Sequence, residues 1–305
     1  MTKVSPPDAP QRGEGGGTTL RAAFWMIGSI ASFSLMAVAG REVSLEHDTF
    51  EIMMYRSLIG LLVVIIAAGA TGAWRQITMR APLAHMIRNT AHFAGQNLWF
   101  YALTAIPLAQ VFALEFTSPL WVLVLSPLIL GEQLTPTRAL AAALGFIGIL
   151  IVARPSPETV NLGTLAAATA AIGFAFTIMV TKRLTRSETL TCILFWMTLI
   201  QLGLGLICAG IDGDIAMPSE RTAPWMILIG LGGLLAHYCL TTALSLAPAT
   251  VVIPVDFARL PVIAIVGLVL YNEPLDAFVI IGALVIFAAN YLNIWSETKR
   301  YRFKT

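Results

Sequence analysis

The sequence predicts an all-α polytopic membrane protein with ten transmembrane helices, arranged as two inverted five-helix repeats with both termini in the cytoplasm. Composition, the placement of basic residues and an internal repeat support this prediction. Of the 305 residues, 57% are hydrophobic and 12% are charged, and the mean hydropathy is +0.79. Because soluble domains carry about a quarter charged residues, this chain has too few polar atoms to cover a water-facing surface.

Apolar runs recur along the chain between short polar breaks. A helix needs roughly 20 apolar residues to cross about 30 Å of hydrocarbon. We therefore predict spans at approximately 20–40, 50–70, 83–103, 108–129, 137–153, 160–181, 189–210, 223–244, 250–271 and 276–295. The first span ends in Ala37-Val38-Ala39, which resembles a signal-peptidase site, but the internal repeat requires a retained helix there.

These spans divide the chain into two repeats with polar flanks. The first residues are rich in Pro and Gly, which is typical of disorder. The predicted order is a disordered cytoplasmic tail (1–19), a first repeat (20–153), a linker (154–159), a second repeat (160–295) and a basic cytoplasmic tail (296–305).

Basic residues are distributed unevenly between the two sides of the membrane. With the N-terminus in the cytoplasm, fourteen of the 19 lie in cytoplasmic segments, Arg88 among them, and three lie on the opposite side. The remaining two, Arg56 and Arg259, fall within spans. Because Lys and Arg concentrate in cytoplasmic loops, this asymmetry predicts an N-in, C-in topology and an even number of spans.

The two halves align without a gap when the sequence is shifted by 141 residues. This register places Pro107 on Pro248 and Glu115 on Asp256. Five spans per half is an odd number, so the second copy is predicted to lie upside down in the membrane. Transporters with inverted repeats bind their substrates at the interface between the repeats.

Residues 102–134 (ALTAIPLAQVFALEFTSPLWVLVLSPLILGEQL) resemble the EamA pattern of the drug/metabolite transporter superfamily. That pattern has an Ala-Leu, a short turn, a helix with a proline, and then Gly-Glu and Leu before the last helix of the repeat. The first copy carries Gly131-Glu132, whereas the second carries Asn272-Glu273 and departs at the glycine. The resemblance covers about residues 20–295. It implies a transporter whose central cavity opens alternately to each side, and it implies no particular substrate.

Four charged residues lie within the predicted spans, where a charge costs at least a few kcal/mol. We predict that Glu115, Asp256 and Arg259 line the substrate pathway, with one acid a candidate for proton coupling. Asp256 and Arg259 are three residues apart and share a helix face, so a purely structural ion pair is the alternative. Arg56 either adds a second charge to the pathway or extends to the nearby interface. Two acids and two bases sum to zero, which favours internal pairing.

A polar face is predicted on the third span. His92, Gln96 and Trp99 are spaced as one helix face, and the 141-residue register maps Gln96 and its neighbour onto His237 and Tyr238. We predict that His92, Gln96, His237 and Tyr238 line the cavity, although interhelical hydrogen bonds would explain the same residues. The two histidines lack a third ligand at metal spacing, so no metal site is predicted.

Prolines lie inside the fourth and ninth predicted spans, and two acidic residues lie at the ends of spans. Pro119 and Pro261 are hinge candidates, and an ordinary kinked membrane helix is the alternative. Glu132 and Glu273 are predicted to cap or charge-stabilise the start of the next helix. The three cysteines, Cys192 among them, lie in apolar runs and are predicted to be core residues.

Together these features predict a transporter that moves a small polar organic metabolite across the inner (plasma) membrane. Alternating access around a central cavity is the expected mechanism, with proton coupling, exchange and facilitated diffusion all open. The alternatives are a membrane-embedded structural or sensory protein, or a lipid-modifying enzyme. The motifs HExxH and GxSxG and a Gly-rich phosphate loop are missing from the sequence, which disfavours an enzyme. The expected partners are the metabolite and the lipid bilayer, without a cofactor or nucleic acid, and a homodimer stays open.

Overall fold

The computed structural model describes residues 15–130, 136–154, 161–184, 187–211, 213–246, 255–256 and 258–302. The helices bounded within these residues are α1 (Gly15–Val43), α2 (Thr49–Thr71), α3 (Pro82–Ala105), α4 (Leu108–Glu115), α5 (Ser118–Leu130), α6 (Pro136–Ala153), α7 (Leu162–Leu184), α8 (Leu190–Ala209), α9 (Ala223–Leu246), α10 (Arg259–Tyr271) and α11 (Ala277–Arg302). A 3-10 turn, Ala73–Gln76, links α2 to α3. No strand occurs in this described part of the chain.

The first and last helices are longer than the predicted spans. α1 begins at Gly15, inside the segment predicted to be disordered, and α11 continues to Arg302. Adding residues to an existing helix needs no new nucleus, so polar flanks can join an apolar span at little cost. The rest of the predicted tails and most of the predicted linker lie outside the described residues.

The predicted fourth span is two helices, α4 and α5, instead of one. Pro119 has no N–H to donate to the Glu115 carbonyl, so the helical ladder stops there. The Ser118 hydroxyl donates to that carbonyl at 2.6 Å, and the Thr117 hydroxyl donates to the Leu114 carbonyl at 2.6 Å. The break places Glu115 at the end of α4, whereas the sequence predicted it deep inside a continuous helix.

Helix boundaries repeat with the same period as the sequence. Equivalent helices begin 141 residues apart, which holds for the pairs α2 and α8, α3 and α9, α5 and α10, and α6 and α11. Helices α1 and α7 end 141 residues apart. α5 and α10 have 13 residues each, and α3 and α9 have 24 residues each. The sequence repeat therefore extends to secondary structure.

Packing between the halves is reciprocal. α1 packs along α9 and α3 packs along α7, and these two pairs are equivalent under the repeat. α2 packs against its own equivalent, α8, and α6 packs against its equivalent, α11. Because every major interface joins one half to the other, the two repeats form a single body with a shared core.

The outside of the helix bundle is apolar, and many of its polar side chains are inside. Ile66 and Ile207 are 68% and 67% exposed, whereas Asn89 and Gln201 are fully buried. α1, α2, α7, α8 and α9 contain stretches long and apolar enough to cross a membrane, and α4–α5, α6, α10 and α11 contain shorter apolar stretches. This distribution is the one expected of a bundle surrounded by lipid.

Because α6 and α11 are in close contact, adding one methyl group at Gly282 is predicted to destabilise the protein. A Cβ at Gly282 would lie 2.5 Å from Val152 Cγ2 and 2.8 Å from the Gly148 carbonyl oxygen. Gly282→Ala should therefore lower the free energy of unfolding by about 1–3 kcal/mol, as overpacking does. The control is Gly203→Ala on α8, where nothing lies within 4 Å of the added Cβ. Thermal unfolding of the two purified variants checks this; equal midpoints would contradict the close contact.

Candidate functional site

A buried ion cluster joins the two halves. Arg259 Nη2 donates to Glu115 Oε1 at 3.0 Å and to Asp256 Oδ2 at 3.1 Å. Arg259 is 4% exposed, and the two carboxylates are largely buried. The sequence predicted the pair of Asp256 with Arg259 but gave Glu115 no partner. The structure supplies that partner from the other repeat, so one guanidinium holds an acid from each half.

Aromatic rings surround the Arg259 guanidinium. Its carbon lies 4.8 Å from the ring centroid of Phe33, 5.2 Å from that of Phe112 and 5.0 Å from that of Phe116. A cation over aromatic faces is stabilised without water, which allows the charge to remain inside the bundle.

Some hydrogen-bonding atoms of the ion cluster have a partner among the described residues, and others have none. Trp99 Nε1 donates to Glu115 Oε2 at 2.8 Å, so both oxygens of that carboxylate have a donor. Asp256 Oδ1 and Arg259 Nε are buried without a hydrogen-bond partner among the described residues. The cluster therefore retains one free acceptor and one free donor for a polar molecule.

Glu115 and Arg259 each lie at a helix end whose partial charge is unfavourable to them. Glu115 is the last residue of α4, and Arg259 is the first residue of α10. The end of a helix carries a partial negative charge and its start a partial positive charge. Each side chain thus lies beside a pole of its own sign, and the ion pair offsets both unfavourable placements.

A second polar group contains two buried arginines. Arg56 Nη1 donates to Gln201 Oε1 at 3.3 Å, and Arg88 donates to Thr181 Oγ1 at 3.1 Å and to Asn89 Oδ1 at 2.6 Å. These residues come from α2, α3, α7 and α8. We call Arg56, Arg88 and Gln201 the arginine cluster.

The positions of Arg56 and Arg88 in the structure contradict two predictions made from the sequence. Arg56 is 5% exposed, so its head group does not extend to the interface, because the side chain packs inside the protein against Gly233 of α9. Arg88 was assigned to a cytoplasmic segment, but it lies within α3 and is 4% exposed. With Arg88 included, the four charges predicted within the spans become five, of which three are basic and two are acidic.

Two histidines contact each other beside the ion cluster, His92 one helical turn after Arg88 and His237 one turn after Gly233, which packs against Arg56. The ring centroids of His92 and His237 are 5.7 Å apart, and the His237 ring meets that of Phe33 at 5.4 Å. Phe33 in turn contacts the Arg259 guanidinium. Both ring nitrogens of His92, Nε2 of His237 and Oε1 of Gln96 are buried without a partner in the part of the chain that the structure describes.

Tyr238 lies apart from this group, although the sequence placed it in the cavity. Its side chain is 45% exposed, and its ring meets that of Trp25 at 5.8 Å. It lines a largely apolar groove of about 520 Å³ between α2, α8 and α9. Successive helical residues point about 100° apart, so Tyr238 and His237 face different surroundings.

The two hinge candidates lie in the first turns of helices. Pro119 is the second residue of α5, and Pro261 is the third residue of α10. Proline suits a first turn because the N–H it lacks has no partner there. The expectation of a kink inside a continuous helix was therefore wrong for Pro119, and the hinge role stays a prediction for both.

An ion pair between Arg41 and Glu273, here called the latch, connects α1, α3, α4 and the loop after α10. Arg41 pairs with Glu273 and donates to the carbonyls of Leu103 at 2.6 Å and Ile106 at 2.9 Å. Glu273 also accepts from the Leu108 N–H at 2.8 Å. Glu273 thus caps a helix start as predicted, but the helix is α4 of the other half and not α11. Glu132 lies outside the described residues.

A polar corner near the start of α3 joins the α2–α3 loop to α8. Potential ligand atoms of His85, Glu188 and Cys192 lie within 4.8 Å of one another. The Thr78 hydroxyl donates to Glu188 Oε2 at 2.7 Å, and the Thr78 N–H donates to Cys192 Sγ at 3.4 Å. Burial raises the pKa of the Glu188 carboxyl, but hydrogen bonds from Thr78 and Cys192 outweigh it and leave that pKa below its ordinary value. Cys192 is buried, as predicted.

Sequence reasoning missed Arg88, Gln201 and Arg41. Gln201 is a polar residue within the apolar run of α8, and that contrast was the available signal. Arg88 and Arg41 lie near span ends, where basic residues are ordinary, so only the packing of the helices distinguishes them.

Removing the Arg259 charge tests the ion cluster. Arg259→Met leaves two partly buried carboxylates without a cation, and we expect a loss of about 3–5 kcal/mol in the free energy of unfolding. Adding Glu115→Gln and Asp256→Asn to this variant should recover most of the loss. Arg154→Met is the matched control, because Arg154 pairs with Asp276 at an exposed site and should cost at most about 1 kcal/mol. Chemical denaturation of each variant measures the differences, and equal losses at Arg259 and Arg154 would contradict the arrangement.

Comparisons with known proteins identify relatives over most of the chain. The S-adenosylmethionine uptake transporter of Rickettsia prowazekii (strain Madrid E) is 26% identical over 287 residues, covering 92% of this chain and 95% of that protein. The riboflavin transporter of Brucella anthropi is 36% identical over 215 residues, covering 68% of this chain and 75% of that protein. A protein of known crystal structure, 19% identical, matches with a TM-score of 0.63 over 89% of this chain and 96% of the other, which supports the fold.

The sequence profile of the EamA-like transporter family matches the chain twice, at residues 20–154 and 161–295. The two matched segments are offset by 141 residues, which is also the period of the helix boundaries. The matches and the apolar helices make this a multi-pass membrane protein, and the named relatives are transporters and not enzymes. The chain belongs to the EamA-like transporter family.

Proposed function

We propose that this protein moves a small polar organic metabolite across the membrane by alternating access around the ion cluster. One observation carries the proposal: Arg259 holds Glu115 of the first repeat and Asp256 of the second in one buried cluster. A cluster that contains groups from both halves changes its geometry when the halves move. It therefore couples the occupancy of the site to the relative position of the repeats.

The inverted arrangement of the repeats is part of this proposal. Reciprocal packing, in which α1–α9 matches α7–α3 while α2 and α6 each meet their own equivalents, is what a two-fold axis between the halves produces. With an odd number of spans per half, such an axis lies in the membrane plane. The proposed topology is ten spans, N-in and C-in, with α4 and α5 together forming one span.

A series of polar and aromatic side chains supplies the proposed pathway. It runs from Asp256 and Glu115 through Arg259 and Phe33 to the histidine pair and the arginine cluster. Buried groups without partners are costly unless something else pairs with them. The free donors and acceptors along this series therefore support binding of polar molecules over a purely structural role.

The Arg41–Glu273 latch is proposed as a closure at one end of the pathway. It joins the end of α1 to the start of α4 and to the loop after α10, and these elements belong to both halves. The 141-residue register aligns Arg41 with Lys182 and Glu273 with Glu132, so each half carries a basic and an acidic residue at these positions. The break between α4 and α5 at Pro119 provides a joint close to the ion cluster.

Relatives support an organic substrate. The two named above are described as transporters of S-adenosylmethionine and of riboflavin, both of which are organic metabolites. Acidic and basic side chains together suit a polar or zwitterionic molecule better than a bare ion. The proposal places the protein in a cell inner (plasma) membrane and includes proton coupling through Glu115 or Asp256 as one energy source, with exchange and facilitated diffusion as the others.

Transport by wild type and acid variants tests the proposal. Cells expressing the protein are given a mixed labelled panel of metabolites, including S-adenosylmethionine and riboflavin, and both uptake and efflux are followed. We expect at least one compound to move with wild type and to slow at least about tenfold with Glu115→Gln or Asp256→Asn, which corresponds to about 1.4 kcal/mol.

The matched control is Glu220→Gln, because that acid is exposed in the loop before α9. All variants are compared at equal amounts of protein in the membrane. Equal transport by wild type and both cluster variants would contradict the assigned role of the ion cluster. Failure of wild type to move any compound relative to cells without the protein would contradict the choice of substrate class.

A further inference from the structure

The arginine cluster has two buried positive charges and no internal anion. Among the described residues, no carboxylate lies within salt-bridge distance of Arg56 or Arg88. The histidine pair links the two arginines: Arg56 packs against Gly233, one helical turn before His237, and Arg88 lies one turn before His92. A buried charge without a counter-charge is strongly destabilising, so an arrangement of this kind is retained only when something offsets it.

The hydrogen-bond partners of the two guanidiniums are neutral side chains, and those of Arg56 are incomplete. Arg56 has the Gln201 side-chain oxygen at 3.3 Å, while its Nε and the Gln201 Nε2 have no partner in the described part of the chain. Arg88 is held by Thr181 and Asn89. Asn89 in turn donates to the Trp196 carbonyl at 3.2 Å, so the arginine positions are fixed by their surroundings.

The neighbouring acids belong to other contacts. Glu115 and Asp256 are bound to Arg259 in the ion cluster, and Glu188 is bound to Thr78 in the polar corner. None of these three carboxylates lies within salt-bridge distance of Arg56 or Arg88, so neither guanidinium has a carboxylate contact among the described residues. An acidic group on a bound molecule would supply that contact.

From this arrangement we infer an oxyanion subsite in the arginine cluster, which binds a carboxylate or phosphate group of the transported molecule. Guanidiniums present paired N–H donors that match the spacing of carboxylate and phosphate oxygens. Gln201 Nε2 and the unpartnered nitrogens of His92 and His237 supply further donors when they carry hydrogen. The inference rests on the proposed transport function and narrows its substrate to molecules with an acidic group.

Anion binding is measured directly, without transport. The full chain in nanodiscs of phosphatidylcholine, which has no net charge, is heated at constant chloride with succinate, with inorganic phosphate, or with succinamide, the neutral diamide of the same shape. Succinate or phosphate should raise the melting temperature by about 2 °C or more, and succinamide should not. Arg56→Gln and Arg88→Gln should lose the rise, whereas Arg75→Gln, an exposed arginine, should keep it.

Gln201→Glu separates a binding role from a structural one. It places a carboxylate beside Arg56 with almost no change of shape, so it supplies the missing anion internally. We expect this variant to melt at a higher temperature than wild type without any added anion and to respond weakly to succinate and phosphate. Arg56→Gln and Arg88→Gln should also be at least as stable as the anion-free wild type, because each removes an unpaired buried charge.

Several results would overturn the subsite. The subsite is contradicted if neither oxyanion raises the melting temperature of wild type, if succinamide raises it equally, or if both arginine variants keep the full rise. Stabilisation by phosphatidylglycerol nanodiscs alone would assign the cluster to a lipid headgroup instead. Because this assay needs no flux, a failure here leaves the transport test of the ion-cluster acids standing, and a failure of transport leaves anion binding measurable.

Discussion

The pairing of Arg259 with one acid from each repeat is the contact on which the rest of the account depends. A single buried charge would cost several kcal/mol, and without Arg259 both carboxylates would lack a cation. Glu115, Asp256 and Arg259 are stable together only when the ends of α4 and α10 meet. The ion cluster thus adds an electrostatic contact to an interface between the halves that apolar packing also holds.

That contact explains why polar groups gather where they do. Helix ends expose backbone and side chains that must find partners in the interior, and the break at Pro119 creates such an end next to Arg259. Phe33 then connects the ion cluster to His237, which lies one helical turn after Gly233, the residue that Arg56 packs against. Reciprocal packing brings helices of both halves to these groups, and under the proposed alternating access a relative movement of the repeats would change their exposure to either side.

Much of this could be predicted from the sequence, because the repeat and the apolar spans are local or periodic signals. The 141-residue register anticipated the helix boundaries, and the intramembrane charges anticipated most of the ion cluster. The partner of Glu115 could not be predicted, because it lies 144 residues away in the other half. The burial of Arg88 and the exposure of Tyr238 were also missed, since both depend on which face of a helix meets its neighbour. The broken fourth span was missed because its apolar run is continuous.

Two-sided accessibility of the polar pathway is the most direct test of the account. A single cysteine at Gln96, with Cys192, Cys208 and Cys239 replaced by alanine, is labelled with a membrane-impermeant maleimide in right-side-out and in inside-out vesicles. Alternating access predicts labelling from both sides in the same variant. It also predicts that a second variant with a disulfide in place of the Arg41–Glu273 pair is labelled from one side only. Labelling from one side alone without the disulfide, or from neither, would contradict alternating access through this pathway.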